Sequence, residues 1–545
     1  LFECKLKSYM NDYQIDPDRF MGKTHDYEKD DSHIHILREP NKCVKCGKCV
    51  EVCDRSRGIA VYGFARRGFD AKIAPALDKP LAETDCISCG DCVAACPVGA
   101  LTEKIPLERP GPFVSVVTPS VCTRCSVGCA IDVHTVNDVI YKITPRVTGW
   151  NDIHMCETGR FDYGWMNDDR RFKLPRIKKE GKWTDIQWSD AVFSMAARLK
   201  EEPQIILRPT CTNEEAYIAR EIVNKLGGDI YLIVDDHETC DGLTPVLGNS
   251  GSTITFDDIE RQDLIMIYNT DLVNRFSVAG VKVRQAANEG MDVLVVGDKP
   301  HKIEGARELE NAGIGFLDGL IATASREQLI SGQAYDLINY SEQELLNELA
   351  VLSKGDIEER SGESYDDLSK LAKTLASDDG LIIFGMVSRE ESRRIALFKQ
   401  ITEAQMIVLK RGSNSQGISD LGIKRITLDE LDDLSKKNIL MFGYPPDDFK
   451  RPKTCRYLAI QRTLDPFEEA DIVIPRSVNY ENDGTVVTTD RRLCRIEKAL
   501  SPHKENWEIL RDLAKALDVE VPDSVEGITE KLLPEIKYNR DDRYL

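Results

Sequence analysis

Two cysteine runs decide the fold of the first part of the chain: Cys43-Val44-Lys45-Cys46-Gly47-Lys48-Cys49-Val50-Glu51-Val52-Cys53 and Cys86-Ile87-Ser88-Cys89-Gly90-Asp91-Cys92-Val93-Ala94-Ala95-Cys96-Pro97. Both follow the spacing C-x2-C-x2-C-x3-C, which places thiolates on one short loop around a cube of iron and sulfide. Gly47 and Gly90 stand where the tight turns between the thiolates need small residues. We therefore predict two [4Fe–4S] clusters.

The fourth cysteine of each run is expected to cross to the other cluster, as in two-cluster ferredoxins. We assign the first cluster to Cys43, Cys46, Cys49 and Cys96, and the second to Cys86, Cys89, Cys92 and Cys53. Zinc and disulfides are the alternatives for C-x2-C pairs. A zinc site stops at four ligands, however, so the doubled run favours the cubes.

A third group of cysteines follows the spacing Cys122-x2-Cys125-x3-Cys129, with Cys156 further along the chain. Three near thiolates and a distant one suit a third [4Fe–4S] cluster at the edge of a small β domain, whose strands we expect at 113–118 and 139–144. Cys4 stands alone before a helical stretch at 5–13, and from the residues alone its simplest interpretation is an ordinary buried thiol.

Composition excludes several classes of function. The 545 residues carry a formal net charge of −20, which argues against nucleic acid as a partner. No run of 18 apolar residues exists, so we predict no membrane span. Of the 17 cysteines, 13 precede residue 157, and most have ligand spacing, which indicates reduced thiols and a cytoplasmic location. Because Leu1 is not a starting Met, we expect the native chain to begin further upstream.

Beyond residue 173 short apolar runs alternate with amphipathic stretches. We predict strands at 264–268, 293–296, 380–384, 406–409, 438–442, 457–460 and 472–474, with helices at 277–288 and 390–401. Strands separated by helices indicate parallel sheets with right-handed crossovers, and therefore doubly wound α/β domains.

The segment between the two cysteine runs carries one further prediction. Residues 63–69 are expected to form a hairpin over the clusters, with Arg66 and Arg67 either raising the cluster potentials or serving as ordinary surface charges. Upstream, His33 and His35 alternate with isoleucines, which predicts a short strand with solvent-facing histidines.

These cysteine motifs, together with further stretches, resemble a known family: the large iron–sulfur subunit of NADH dehydrogenases (the complex I 75-kDa or G-type subunit) and of NAD-linked formate dehydrogenases. The further stretches are Cys4-Lys5-Leu6, Gly159-Arg160, Cys211-Thr212-Asn213-Glu214-Glu215, Asn414-Ser415-Gln416-Gly417, Ala470-Asp471-Ile472-Val473-Ile474-Pro475, Asp483-Gly484-Thr485 and Arg491-Arg492. The resemblance covers nearly the whole chain. It implies that Cys4 is the last ligand of a further [4Fe–4S] cluster of the His/Cys3 type, with a [2Fe–2S] domain upstream.

The chain departs from the family where active formate dehydrogenases hold a molybdenum or tungsten pterin. Thr158 replaces their Lys beside the third cluster, and their metal-ligand position falls on Asp235. Cys240, with His237 nearby, does not fit that ligand pattern. Their nucleotide-holding motifs correspond to Tyr268-Asn269-Thr270, Gly297-Asp298-Lys299 and Ile314-Gly315-Phe316-Leu317-Asp318. Since Tyr268 replaces a Gly that lets backbone amides approach a phosphate, we expect no molybdopterin.

The predicted fold is therefore α+β ferredoxin-like iron–sulfur modules followed by doubly wound α/β domains of the molybdopterin-oxidoreductase type. The expected parts are a remnant of an N-terminal iron–sulfur domain (1–36), a two-cluster ferredoxin domain (37–108), a third [4Fe–4S] domain (109–172) and an α/β scaffold without pterin, its central cleft filled by side chains (173–545).

The expected function is that of an electron-transfer subunit of a cytoplasmic NAD(P)H-linked oxidoreductase, of the NADH dehydrogenase, hydrogenase or formate dehydrogenase type, with or without electron bifurcation. No acid, base or nucleophile is needed in this chain. The expected partners are a flavin- and NAD(P)-binding subunit with its small [2Fe–2S] subunit, and another redox subunit, for example a hydrogenase, or ferredoxin. The alternative is a catalytic molybdenum or tungsten subunit of the formate dehydrogenase type.

Overall fold

The computed structural model describes the following parts of the chain: 5–16, 19, 22–104, 115–234, 242–310, 313–330, 339–377, 379–402, 404–434, 436 and 438–538. Helix α1 (Lys5–Asp12) occupies the stretch predicted to be helical. Among the helices in these ranges, none combines the length and the apolar composition that crossing a bilayer requires.

Four short strands build the module that carries the two cysteine runs: β1 (Ile36–Arg38), β2 (Tyr62–Ala65), β3 (Lys72–Pro75) and β4 (Leu101–Glu103). Strand β1 pairs antiparallel with β4, and β2 with β3. The first pair joins the chain before the first run to the chain after the second, so it holds the two runs side by side. The second pair is the predicted hairpin.

Each cysteine run turns into a short helix immediately after its glycine. Helix α2 (Lys48–Glu51) follows Gly47 with φ of 81°, and α3 (Asp91–Ala95) follows Gly90 with φ of 73°. A left-handed backbone of this kind is open to Gly at little cost, which explains the residue at both turns.

The prediction that the histidines before β1 face solvent is wrong for His33, which is only 5% exposed. Its Nδ1 accepts hydrogen bonds from the backbone N–H groups of His35 and Ile36, each at 3.1 Å, and its Nε2 lies 3.2 Å from Ser88 Oγ. Burial lowers the pKa of His33, in keeping with its role as an acceptor. The ring therefore fastens the start of β1 to the second cysteine run.

The third cysteine group lies on a small antiparallel sheet of β5 (Val116–Val121), β6 (Ala130–Val136) and β7 (Val139–Pro145), followed by helix α4 (Glu157–Phe161). Strand β7 was predicted. Strand β5 begins three residues later than residue 113, and β6 was not predicted.

From residue 176 onward, the elements in chain order are β8 (Arg176–Lys179), β9 (Lys182–Asp185), α5 (Trp188–Leu199), β10 (Pro203–Leu207), α6 (Asn213–Leu226), β11 (Asp229–Ile233), α7 (Leu243–Leu247), β12 (Leu264–Tyr268), α8 (Ser277–Asn288), β13 (Asp292–Val296), β14 (Arg307–Leu309), α9 (Ile314–Arg326), α10 (Tyr340–Ala350), α11 (Lys354–Ser361), α12 (Tyr365–Leu375), β15 (Gly380–Gly385), α13 (Arg389–Thr402), β16 (Gln405–Leu409), α14 (Ser415–Asp420), β17 (Lys424–Ile426), α15 (Leu428–Leu434), β18 (Asn438–Phe442), β19 (Tyr457–Arg462), β20 (Ile472–Pro475), β21 (Gly484–Val487), β22 (Leu493–Ile496), α16 (Asn506–Ala516) and α17 (Val525–Leu532).

The strands among these elements form two parallel or mostly parallel sheets, and the segment that forms the smaller sheet interrupts the segment that forms the larger one. The larger has the order β17-β11-β10-β18-β19-β20-β8-β9 and is parallel from β17 to β20, while β8 and β9 form an antiparallel hairpin at its edge. The smaller has the order β14-β13-β12-β15-β16 and is parallel throughout. In the sequence, the strands of the smaller sheet lie between β11 and β17, which are neighbours in the larger sheet. The doubly wound α/β prediction is confirmed.

The core of the smaller sheet has two faces, because alternate residues of a strand point to opposite sides. Ile265 and Ile267 pack on one face in the same buried cluster as Cys122 and Cys129. Tyr268 packs on the other face with helices α9 and α13. The third cysteine group is thereby held directly against the α/β part of the chain.

Candidate metal centres

Cys96, the fourth cysteine of the second run, lies with the first run, as the crossed assignment predicts. One small cavity is lined by Cys43, Cys46, Cys49 and Cys96. Burial raises the pKa of the Cys49 thiol to about 11, and electrostatic repulsion from the three other cysteines of this set contributes next. The structure therefore brings together the four residues predicted for the first cluster.

Cys53, from the end of the first run, completes the second set. Burial raises the pKa of the Cys92 thiol, and electrostatic repulsion from Cys89, Cys86 and Cys53 raises it further. The backbone N–H of Val61 donates to Cys53 Sγ at 3.3 Å. Since thiolates are the ligands of a cluster, these thiols would lose their protons on binding one.

The third set is the most deeply enclosed. Burial, and then the nearby Cys156, raises the pKa of the Cys122 thiol to about 12. Cys156 caps helix α4, where its Sγ accepts from the backbone N–H of Gly159 at 3.4 Å. A Cβ on Gly159 would lie 3.2 Å from Cys122 Sγ and 3.5 Å from Cys156 Sγ. The missing side chain thus leaves room between two of the predicted ligands.

A buried carboxylate joins the second and third sets. Asp91, inside the second cysteine run, is 1% exposed. Its Oδ2 accepts from Arg57 Nε at 2.6 Å and lies 2.6 Å from His154 Nδ1. Its Oδ1 accepts from the backbone N–H of Met155 at 3.3 Å, immediately before Cys156. Although burial acts in the opposite direction, the charge of Arg57 and the hydrogen bond with His154 hold the pKa of Asp91 well below its usual range.

Arg57 extends this connection to the α/β part. Its guanidinium donates to the carbonyl oxygens of Met155 at 2.7 Å and Ser277 at 3.3 Å, the latter at the start of helix α8. From the same helix, Arg284 donates to the carbonyl oxygen of Ser56 at 3.1 Å. Burial, followed by the charge of Arg57, lowers the pKa of Arg284 to about 9. Two buried guanidinium groups therefore tie the two cluster modules to the smaller sheet.

A cavity of about 710 Å³ opens at the carboxyl edge of the larger sheet, beside the third set. Its wall includes four arginines: Arg124, Arg208, Arg411 and Arg476. Arg476, which follows β20, is 7% exposed and donates through Nη2 to the carbonyl oxygen of Thr210 at 3.2 Å. Among the described residues, Arg476 Nη1 and Thr210 Oγ1 are buried without a hydrogen-bond partner. The wall also carries Asp447 and Asp448, and the size and position of the cavity are those of a ligand site at the carboxyl ends of parallel strands.

A buried acid lies behind this wall. Burial raises the pKa of Glu215 to about 7, although the charge of Arg476 and a hydrogen bond with Cys211 act in the opposite direction. Thr212 caps helix α6 and shares a reciprocal capping box with Glu215. Glu215 therefore exchanges a proton near neutral pH within the fold.

Two residues at positions that match the nucleotide-holding motifs, Tyr268 and Phe316, have large buried side chains. Tyr268 is fully buried and donates to Glu391 Oε1 at 2.9 Å, and Phe316 is 1% exposed. Each of these two positions therefore carries a buried aromatic side chain. The cleft is not filled throughout, however, because the cavity beside the third set remains open. Thr158 is exposed on α4.

Four residues singled out from the sequence lie outside the described residues: Cys4, Asp235, His237 and Cys240. Sequence reasoning in turn missed Arg57, Asp91 and Arg476. Only Asp91 could have been singled out from the sequence, because a carboxylate between two ligand cysteines is expected to be buried and therefore to need a cationic partner.

Comparison with known proteins identifies three family models along the chain. The 4Fe-4S dicluster domain matches residues 42–100, the molybdopterin oxidoreductase Fe4S4 domain matches 115–168, and molybdopterin oxidoreductase matches 171–441. Acetylene hydratase from Pelobacter acetylenicus has a similar fold, with a TM-score of 0.56 at 13% identity, covering 74% of this chain and 69% of that chain.

Two curated relatives extend the similarity in sequence. NADPH-Fe(3+) oxidoreductase subunit alpha of Geobacter sulfurreducens is 25% identical over 562 residues, covering 88% of this chain and 65% of the relative. A protein of Staphylococcus haemolyticus named "Putative formate dehydrogenase" is 21% identical, covering 97% of this chain and 66% of the relative. The chain thus spans slightly less than two thirds of the length of these relatives. The two molybdopterin oxidoreductase models adjoin along the chain, so its similarity to that family extends from residue 115 to residue 441.

Proposed function

We propose that this chain is an iron–sulfur electron-transfer subunit of a cytoplasmic, NAD(P)H-linked oxidoreductase complex. The observation that carries the proposal is the convergence of twelve cysteines into three sets of four. Each set holds one [4Fe–4S] cluster, which when bound takes up or releases one electron at a time. The spacing of the cysteines and the matching 4Fe-4S domain models support this assignment.

The protein groups around each set bind the cluster and adjust its potential. The thiolates are the ligands, and backbone N–H groups such as that of Val61 donate to their sulfurs. The buried ion pair of Arg57 and Asp91 lies between the second and third sets, so the charge of each group bears on the potential of both clusters. In this proposal the chain supplies a path and no acid, base or nucleophile.

The partners follow from what the chain would have to receive and pass on. No glycine-rich dinucleotide fingerprint stands between a strand and a helix of this sequence, so we assign NAD(P) and flavin to a partner subunit, accompanied by a small [2Fe–2S] subunit. The electrons would continue to another redox subunit, such as a hydrogenase, or to ferredoxin. In the same proposal, Cys4 belongs to a further [4Fe–4S] cluster completed upstream.

Metal and sulfide analysis of the purified chain tests this function. Three cubes require about twelve iron and about twelve labile sulfide per chain, before anything at Cys4 is counted. Cys125→Ser should lower iron to about eight while the other two clusters remain. Cys455→Ser is the matched control, since Cys455 is buried but stands apart from the three sets. An iron content near four in the unmodified chain would overturn the proposal.

The second candidate function is a catalytic molybdenum or tungsten subunit. The cavity beside the third set favours it, because four arginines there offer an anion site next to a predicted cluster. About one molybdenum or tungsten per chain would decide for it. If the chain only relays electrons, Cys240→Ala should leave turnover of the assembled complex unchanged, whereas Cys156→Ala should remove a cluster.

A further inference from the structure

The first cysteine set reaches the surface beneath the β2–β3 hairpin. Cys46 is exposed, unlike the other members of its set. Beside it Val44 is 60% exposed, and from the hairpin Phe64 is 62% exposed. The Phe64 ring covers the cysteine loop so closely that a Cβ on Gly47 would lie 3.1 Å from its Cζ. Exposed apolar side chains therefore surround the point where the first cluster comes nearest to solvent.

Exposed cations surround this apolar centre. Lys45 and Lys48 flank the exposed thiol, and Arg66 and Arg67 form the turn of the hairpin. Lys45 Nζ donates to the carbonyl oxygen of Phe69 at 3.4 Å, which joins the cysteine loop to the hairpin turn. As far as the structure describes the chain, none of the four cations takes part in an ion pair. We call this surface the hairpin face: Val44, Phe64 and Phe69 with Lys45, Lys48, Arg66 and Arg67.

The charge of the hairpin face is opposite to that of the whole chain, whose formal net charge is −20. An acidic protein is repelled by most of such a surface and attracted at this face, so electrostatics selects one orientation of approach. That orientation brings the partner to Cys46. The apolar centre supplies contact area that excludes water once the partner has arrived.

We infer that the hairpin face docks a small acidic one-electron carrier protein, with the first cluster as the point of exchange. The inference rests on the proposed function, since it requires a cluster at the first set. One electron passes in either direction between the centre of the carrier and the cluster, so that one is oxidised as the other is reduced, and no bond forms or breaks. Because electron transfer weakens steeply with distance, a docked carrier exchanges with this cluster before the two more deeply enclosed sets.

The experiment measures electron transfer from a reduced plant-type [2Fe–2S] ferredoxin, an acidic carrier, to the oxidised, cluster-loaded full chain by stopped-flow absorbance. Arg66→Glu/Arg67→Glu should lower the second-order rate constant about tenfold or more at low salt and flatten its dependence on ionic strength. The matched control is Lys179→Glu/Lys182→Glu, which reverses two exposed cations on the β8–β9 hairpin and should leave the rate within about twofold. Lys48→Glu provides a second variant of the face.

Iron content separates failure of this inference from failure of the proposed function. If the unmodified chain lacks iron, the proposed function fails first. If both face variants keep their iron and react at the unmodified rate, the docking inference is wrong and the electron-transfer function stands. Binding to phosphatidylserine vesicles that Arg66→Glu/Arg67→Glu abolishes, with an unchanged transfer rate, would likewise overturn it in favour of a lipid surface.

Discussion

Arg57 Nε lies 2.6 Å from Asp91 Oδ2, and the two side chains are 0% and 1% exposed. Removing one member of such a pair leaves the other as an uncompensated buried charge, which costs about 3–5 kcal/mol. We expect Asp91→Asn to lower the thermal unfolding midpoint. Because the carboxylate lies between two cysteine sets, the variant should also raise the reduction potential of the second or third cluster, measured by EPR-monitored titration.

An exposed pair with similar geometry provides the control. Arg170 donates through Nε to Asp168 Oδ1 at 3.0 Å and through Nη2 to Asp168 Oδ2 at 2.6 Å, with the Arg170 side chain 83% exposed. Water and salt screen this pair, so Asp168→Asn should change neither the midpoint nor the potentials. Equal effects of the two substitutions would show that burial of the Asp91 pair is unimportant.

Two glycines with the same backbone conformation should respond differently to Ala. Gly90 has φ of 73°, and a Cβ there would lie 2.4 Å from Arg160 Cδ. Gly181 has φ of 76° and open space around the same position. Gly181→Ala should lower the free energy of unfolding only by the cost of a left-handed backbone at Ala, about 1–2 kcal/mol. Gly90→Ala should in addition displace Arg160 and lower iron to about eight per chain. Full iron in Gly90→Ala would contradict this.

The buried Glu215 predicts a dependence of stability on pH. Its pKa is raised from 4.5 to about 7 in the fold, so the folded chain holds the proton more tightly than the unfolded chain. This contribution is fully present below about pH 4.5 and is lost as pH rises to about 7, a change on the order of 3 kcal/mol. Glu215→Gln should abolish that part of the pH dependence of the unfolding midpoint. Glu221→Gln, on the same helix, is the control, and identical profiles for Glu215→Gln and the unmodified chain would exclude the effect.

Purified alone, the chain should not oxidise NADH with artificial acceptors. Hydride transfer from NADH delivers two electrons together, and a flavin is needed to divide them into single electrons. Adding a flavoprotein partner should restore NADH-dependent reduction of the clusters, measured by their visible absorbance. Substantial diaphorase activity in a preparation free of flavoprotein would be incompatible with the proposed division of labour.

Sequence patterns predicted the interior of the fold more accurately than its edges. Strand β12, helix α8 and strand β18 have the predicted bounds, because continuous apolar or amphipathic runs define buried elements. The edge hairpin β8–β9 was missed because most of its residues are polar, with Ile177 and Trp183 as its apolar side chains and Lys179 paired to Lys182. An edge strand needs no apolar pattern, and in this case it has none.

The candidate site shows the same division. The grouping of cysteines within each run could be predicted because ligand spacing is a local property of the chain. The contact of Asp91 with Arg57 could not, because the two segments meet only after both cysteine runs fold. Arg476 was equally hidden, since a polar residue after a strand resembles an ordinary loop residue until the cavity is formed.

The insertion of the smaller sheet between β11 and β17 has a consequence for biosynthesis. The register of the larger sheet pairs Pro203 of β10 with Asn438 of β18, so its centre cannot close until β18 has left the ribosome. Strands so far apart in the sequence pair slowly, because the chain loses the entropy of loop closure before favourable contacts between the strands can offset that cost. The cysteine-rich modules and the inserted unit are synthesised first and can fold first. The edge of β10 that pairs with β18 stays unpaired in the meantime, and an unpaired strand edge of this kind favours aggregation of partly folded chains.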